Sequence, residues 1–123
     1  MVRITEVINL EDRILQQLKK GVLEMLVLEA ICEGPTYGYA LLTGLKERTG
    51  GYFTLKEGTL YPILYRLEDE GLIESRWSEP EGRSAPKKMY TATYAGQEAR
   101  KDRYQIWVSF TDTVNSFYKK GRE

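Results

Sequence analysis

The chain has no histidine and a single cysteine among its 123 residues. A structural zinc site needs several Cys or His ligands, and a Ser or Cys triad needs an imidazole, so neither can be assembled within one chain. No internal disulfide can form either, which fits a reducing compartment. Cys32 lies in the apolar run VLEAIC, where a small buried side chain is the natural reading. Phosphate loops of the GxxxxGK[ST] or GxGxxG kind are missing. No apolar run approaches the roughly 18 residues of a membrane span. The opening stretch, MVRITEVINLEDR, carries acids where a secretory signal has its apolar segment. An excess of one charge is also lacking, since 18 Lys and Arg balance 18 Asp and Glu. That excludes a non-specific polycation but not local clustering of positive charge. Most carboxylates stand beside Lys or Arg at helical spacing, the pattern of solvated faces. The expectation is a cytoplasmic protein with no metal, no cofactor, no membrane contact and no enzymatic chemistry.

What remains is an ordinary globular balance, 41% apolar and 29% charged, over about one domain of chain. Gly34-Pro35, Gly50-Gly51, Gly71 and the stretch from Pro80 to Pro86 divide it into segments. The first segment, about Leu10 to Glu33, carries two apolar stripes at helical spacing. Leu10, Ile14, Leu18, Met25 and Leu28 form one, with Gly21 on the same face; Leu23, Leu26, Val27, Ala30 and Ile31 form the other. A helix with two apolar faces needs two partners. Gly21 fits either close packing or a kink, and Asn9 is the candidate N-cap. Arg13, Lys19 and Lys20 on this helix read as a solvated face rather than as phosphate contacts.

Thr36 is placed as the cap of a second helix reaching Arg48, with Tyr37, Leu41 and Leu45 buried and Gly50-Gly51 as its stop. A third helix is expected from Glu57 to Glu70, closed by Gly71 in the left-handed region. Leu72 to Ser78 alternates as a strand, with Ile73, Ser75 and Trp77 inward. After the loop EPEGRSAPK a second strand follows at about Lys88 to Thr93. Thr93 opens a last helix reaching about Lys120, some 40 Å long at 1.5 Å per residue. The fold class is therefore mainly α with a small antiparallel β-hairpin, a winged helix-turn-helix followed by a long C-terminal dimerisation helix. Residues 1–93 form the winged part with its N-terminal helix, and residues 94–123 the dimerisation helix.

Two surfaces stand out. On the third helix Leu60, Ile63, Leu64 and Leu67 cluster on one side, leaving Gly58, Pro62, Tyr65 and Asp69 opposite, flanked by Tyr61 and Arg66. Glycine and proline stabilise the outside of a short helix poorly. They do allow close approach, and with Tyr61, Tyr65 and Arg66 the face suits a DNA major groove about 12 Å wide. The other reading leaves both tyrosines as plain amphipathic surface. The loop with Arg83, Lys87 and Lys88 follows directly, placed as a wing that grips phosphate or enters the minor groove. On the last helix Trp107, Phe110, Val114 and Phe117 recur at three, four and three residues, a coiled-coil-like seam widened by Ala99 and Ile106. With Leu10, Ile14 and Leu18 it is the expected dimer surface. Trp107 lies mid-seam, where it is either dimer packing or half of an indole pair that sandwiches a flat aromatic ligand.

The blocks GPTYGYALLTGL (Gly34 to Leu45), EGTLYPILYRLEDEGLIES (Glu57 to Ser75) and PKKMYTATYAG (Pro86 to Gly96) resemble the PadR family of bacterial transcriptional regulators, specifically its smaller members with one C-terminal helix. The resemblance spans about Lys20 to Tyr118. It implies a homodimer, repression at an inverted-repeat operator in double-stranded DNA, and often release by a small phenolic or other aromatic effector. It maps recognition positions to Thr59, Tyr61, Pro62 and Tyr65, with Arg66 beside them, and wing positions to Arg83, Lys87 and Lys88. Three positions depart from the pattern. Lys56 stands where a capping serine is usual, with Thr54 as the candidate substitute; Met89 and Ala92 replace an aromatic and a larger aliphatic residue. The rival reading is a winged-helix protein-interaction module without DNA binding, favoured by the neutral net charge and by Glu68, Asp69 and Glu70.

Overall fold

A computed structural model describes residues 4–122, with side chains from residue 13 onward. Among these residues the chain forms α1 (Ile4–Cys32), β1 (Thr36–Tyr37), α2 (Gly38–Arg48), α3 (Glu57–Asp69), β2 (Ile73–Trp77), β3 (Lys88–Ala92) and α4 (Tyr94–Lys120). This is the mainly helical winged architecture the pattern predicts, with one strand more than expected. β1 joins the hairpin to give a three-stranded antiparallel sheet in the order β1-β3-β2. Thr36 pairs with Tyr90 and Tyr37 with Met89.

The core is one cluster in which α1, α3 and the sheet meet. Val27, Leu28 and Ile31 of α1 pack with Leu60, Ile63, Leu64 and Leu67 of α3, joined by Leu41, Leu72, Ile73 and Tyr90. The inner stripe of α3 is thus wholly buried, which forces its opposite face outward. Both helix stops work as glycines in the left-handed region allow. At the end of α3, Gly71 has φ +76°, its N–H donates to the Glu68 carbonyl and the Leu72 N–H to the Leu67 carbonyl. Gly50 and Gly51 end α2 with the same pair of bonds, to Glu47 and Lys46.

The joint between the winged part and α4 is tightly tied. Thr93 caps α4: its hydroxyl accepts from the Gly96 N–H at 3.0 Å and donates to the Gly71 carbonyl at 2.7 Å. The Gln97 amide donates to the Cys32 carbonyl, Arg100 pairs with Glu29 at 3.3 Å, and Arg103 with Glu70 at 3.4 Å. The first half of α4 is therefore fixed against α1 and the end of α3. Beyond Trp107, Phe110, Val114 and Phe117 face solvent.

Several local expectations are corrected. α1 is already helical before Asn9, so Asn9 is inside the helix and not its cap. Thr36 does not cap α2, because its backbone is committed to β1; the N-cap is Tyr37, whose side chain makes no cap hydrogen bond. For the same reason Tyr37 precedes α2 rather than lying on its buried face. Thr54 does not replace a cap at α3: its hydroxyl donates to the Gly51 carbonyl, and Lys56 caps with backbone alone. Trp77 is 68% exposed rather than inward. It keeps the alternation that buries Ile73, but β2 outruns the helical layer beneath it. Leu10 lies outside the described side chains.

Candidate nucleic-acid interface

The outer face of α3 is open along its length. Gly58, Thr59, Tyr61, Pro62, Tyr65 and Arg66 are all exposed, Tyr65 by 71% and Tyr61 by 50%. Pro62 stands inside the helix, so the Gly58 carbonyl four residues earlier receives no N–H from it. The face therefore presents an apolar ring and two phenols. Tyr61 leans back over the start of α2, with its hydroxyl 3.0 Å from where a Cβ on Gly38 would sit. Arg66 is turned sideways toward α1, its Nε 3.4 Å from Glu24 Oε1. An exposed pair of this kind is worth only about 0–1 kcal/mol, so Arg66 can leave it for a stronger acceptor.

The hairpin lies on the same side. β2 and β3 pair from Ile73 with Ala92 to Trp77 with Lys88, and the ladder is extended by the Ser78 N–H donating to the Lys87 carbonyl. Lys87 returns a bond from its N–H to Ser78 Oγ at 2.9 Å. Gly82, at φ +59°, turns the tip, and Arg83 follows it, exposed. Arg83 makes no ion pair among the described residues. Lys87 and Lys88 behave differently from Arg83. The Lys87 ammonium stands 4.2 Å from the Tyr37 ring and the Lys88 ammonium 5.8 Å from the Tyr90 ring. Both lysines and Tyr61 line one cleft of about 600 Å³, which also takes in Tyr37, Tyr39 and Trp77. Burial, the Glu68 carboxylate and Tyr61 together push the Tyr90 hydroxyl above its ordinary range.

Of the residues singled out from sequence, the fold brings Tyr61, Lys87 and Lys88 to one cleft and leaves Thr59, Pro62 and Tyr65 on the adjoining ridge. Arg83 is at the tip and Arg66 on the flank toward α1. Sequence reading missed Tyr37, Tyr39 and Trp77, which frame the cleft. Their signal was the aromatic density of TYGY and the placement of Trp77 opposite Lys88, legible only once the strand register is known. Lys19 is engaged elsewhere, donating to the Tyr52 carbonyl and lying over the Tyr52 and Phe53 rings.

The second surface joins α1 and α4. Ile14, Leu18, Ile106, Phe110, Val114 and Phe117 are exposed, and Trp107 is half-buried, its ring stacked 6.5 Å from that of Phe110. A cavity of about 480 Å³ opens between the helices, lined by Leu18, Gly21, Met25, Ile106, Trp107 and Phe110, with Glu24 and Arg103 at its polar edge. Among the described residues no cluster of His, Cys, Asp or Glu could hold a metal ion, and no helix is long and apolar enough to cross a membrane.

The chain is similar to several known proteins over this region. A family described as the transcriptional regulator PadR-like family matches residues 27–102. The negative transcriptional regulator PadR of Bacillus subtilis is 35% identical over 81 residues, covering 66% of this chain and 44% of the longer relative. The transcriptional regulator Rv3488 of Mycobacterium tuberculosis is 32% identical over 69% of this chain and 75% of its own length. A PadR-family regulator from Eggerthella lenta superposes with a TM-score of 0.78 at 33% identity, covering 89% of this chain and 92% of that structure. A PadR-like regulator from Bacillus cereus gives 0.70 at 35% identity, over 82% and 95%. The matched stretch begins in the core half of α1 and ends within the tied half of α4, so it contains the open face of α3, the hairpin and the cleft between them. The chain belongs to the PadR-like family, whose members are DNA-binding transcriptional regulators and not enzymes.

Proposed function

We propose that the protein is a homodimeric repressor that binds an inverted-repeat operator, with residues 1–93 as the reading head and residues 94–123 as the pairing helix. One observation carries the DNA contact. Tyr61 of α3 and Lys87 and Lys88 of the hairpin open onto a single cleft, so the base-reading ridge and the cationic wing address one duplex together. In this reading Thr59, Tyr61, Pro62 and Tyr65 meet base edges, joined by Arg66 once it leaves Glu24. Arg83, Lys87 and Lys88 hold phosphates. Repression is favoured by the Bacillus subtilis relative, a negative regulator. The test is fluorescence anisotropy with duplex from upstream of the gene and with random duplex, across a salt series. Arg83→Ala is expected to weaken both complexes alike and to lower the salt slope by about one. An unchanged slope removes Arg83 from the contact, and failure of the parent protein to bind any duplex favours an interaction module.

A second reading concerns release from DNA. The cavity between α1 and α4 falls within the roughly 300–1,000 Å³ range of small-molecule sites and is walled by an indole and Phe110. It supports a planar aromatic or phenolic effector held against Trp107. Titrating planar phenols should quench tryptophan emission in the parent and not in Trp107→Phe, which keeps Trp77. Equal quenching in both proteins removes the site.

A further inference from the structure

The cleft beside α3 holds more than the wing lysines require. Tyr39 and Trp77 stand at its rim, both strongly exposed, although neither helps the core. No carboxylate lines it among the described residues, in a chain whose formal charge is zero. The two ammonium groups are folded over aromatic rings at the hairpin root, whereas Arg83 extends from the tip. Root and tip are therefore separate cationic positions.

We propose that this cleft seats one DNA backbone phosphate with its flanking deoxyribose, and that Tyr39 and Trp77 are positioning residues for it. The inference rests on the DNA-binding reading above. Two lysines without a competing acid select an anion, and the phenolic hydroxyl of Tyr39 adds a donor suited to phosphate oxygens. An indole face beside them supplies the apolar surface that a sugar ring covers and a free inorganic anion does not. A cation resting on a ring is held weakly at an exposed site, so both lysines exchange their rings for phosphate oxygens at little loss. The ridge of α3 continues directly from Tyr61 toward Tyr65, which makes the occupant part of the same duplex. Since phosphates carry no base identity, the seat fixes register and not sequence.

The test uses the full chain grown with 5-fluorotryptophan, which gives two ¹⁹F resonances; the one absent from Trp77→Phe belongs to Trp77. Random-sequence duplex is added at low salt while anisotropy on the same sample reports binding. The Trp77 resonance is expected to move as the duplex saturates. Trp77→Ala and Tyr39→Ala are expected to weaken operator and random duplex by the same factor, about 5- to 20-fold, with Trp77→Phe restoring most of the loss. Bound duplex with an unmoved Trp77 resonance, or losses confined to the operator, overturns the seat while leaving the wider reading intact. No binding by the parent protein overturns both. Trp77 and Tyr39 are surface residues, so a variant that binds poorly is checked for folding by its thermal transition.

Discussion

At Gly96 the helix α4 and the winged part of the molecule come into close backbone contact. It sits in the first turn of α4, and its N–H is held by the Thr93 hydroxyl, which in turn bonds the Gly71 carbonyl. A Cβ on Gly96 would fall far inside the van der Waals radius of the Leu72 carbonyl oxygen and 3.0 Å from the carbonyl carbon. The obstacle is backbone, anchored on one side by the turn after α3 and on the other by the sheet. It cannot rotate away as a side chain would. Gly96→Ala is therefore expected to destabilise the fold by about 3 kcal/mol, despite the better helix propensity of alanine. Urea denaturation measures this, and a loss below about 1 kcal/mol would show that the joint has slack. At the helical positions Gly21 and Gly44 an added Cβ would meet nothing within 4 Å, so there space does not demand glycine as it does at Gly96.

At the scale of elements, α3 is built against its own stability. Its inner face is four fully packed residues, Leu60, Ile63, Leu64 and Leu67, and its outer face carries a glycine and an interior proline. Proline in a helix interior costs about 3 kcal/mol relative to alanine, through the missing N–H and the clash with the carbonyl four residues back. Pro62→Ala is expected to raise stability by about 1–3 kcal/mol in thermal or urea unfolding while reducing discrimination between operator and random duplex. A variant that is more stable and discriminates equally well would leave Pro62 without a reading role. The conflict between propensity and placement was visible in the sequence, as were the spans of α2, α3, the hairpin and α4, because each is bounded by a glycine pair, a glycine stop or a threonine cap. β1 was not legible. Two residues carry no periodicity, and Thr36 and Tyr37 form a strand only because β3 passes beside them. The outward turn of Trp77 was hidden for a related reason, since alternation reports which face a residue is on and not where the layer beneath that face ends. Local capping rules assigned Thr54 to a helix start, whereas the preceding Gly51 carbonyl claims its hydroxyl.

For the whole molecule the question is what covers α4 after Trp107. The core is complete without that half of the helix, whose Phe110 and Phe117 remain 60% and 77% exposed in line with Val114. Leu18 of α1 continues the same kind of surface on the opposite wall of the cavity, and Ile14, one turn earlier, is exposed as well. Burying such side chains is worth about 25 cal/mol per Å², and a row of them on one rigid helix is best covered by its own symmetry mate. A two-fold pair also sets two α3 ridges at a fixed spacing, which is what an inverted repeat requires. Replacing Phe110 and Phe117 together by serine should leave the thermal transition of the winged part near its original position, because neither residue contributes to the core cluster. Sedimentation velocity is expected to show dimer dissociation raised by at least about 100-fold. Operator affinity should fall with it, toward the level of random duplex, since one protomer engages only half a site. If the double variant still sediments as a dimer and binds the operator at full strength, the pairing surface lies elsewhere and the α4 seam must be assigned another partner.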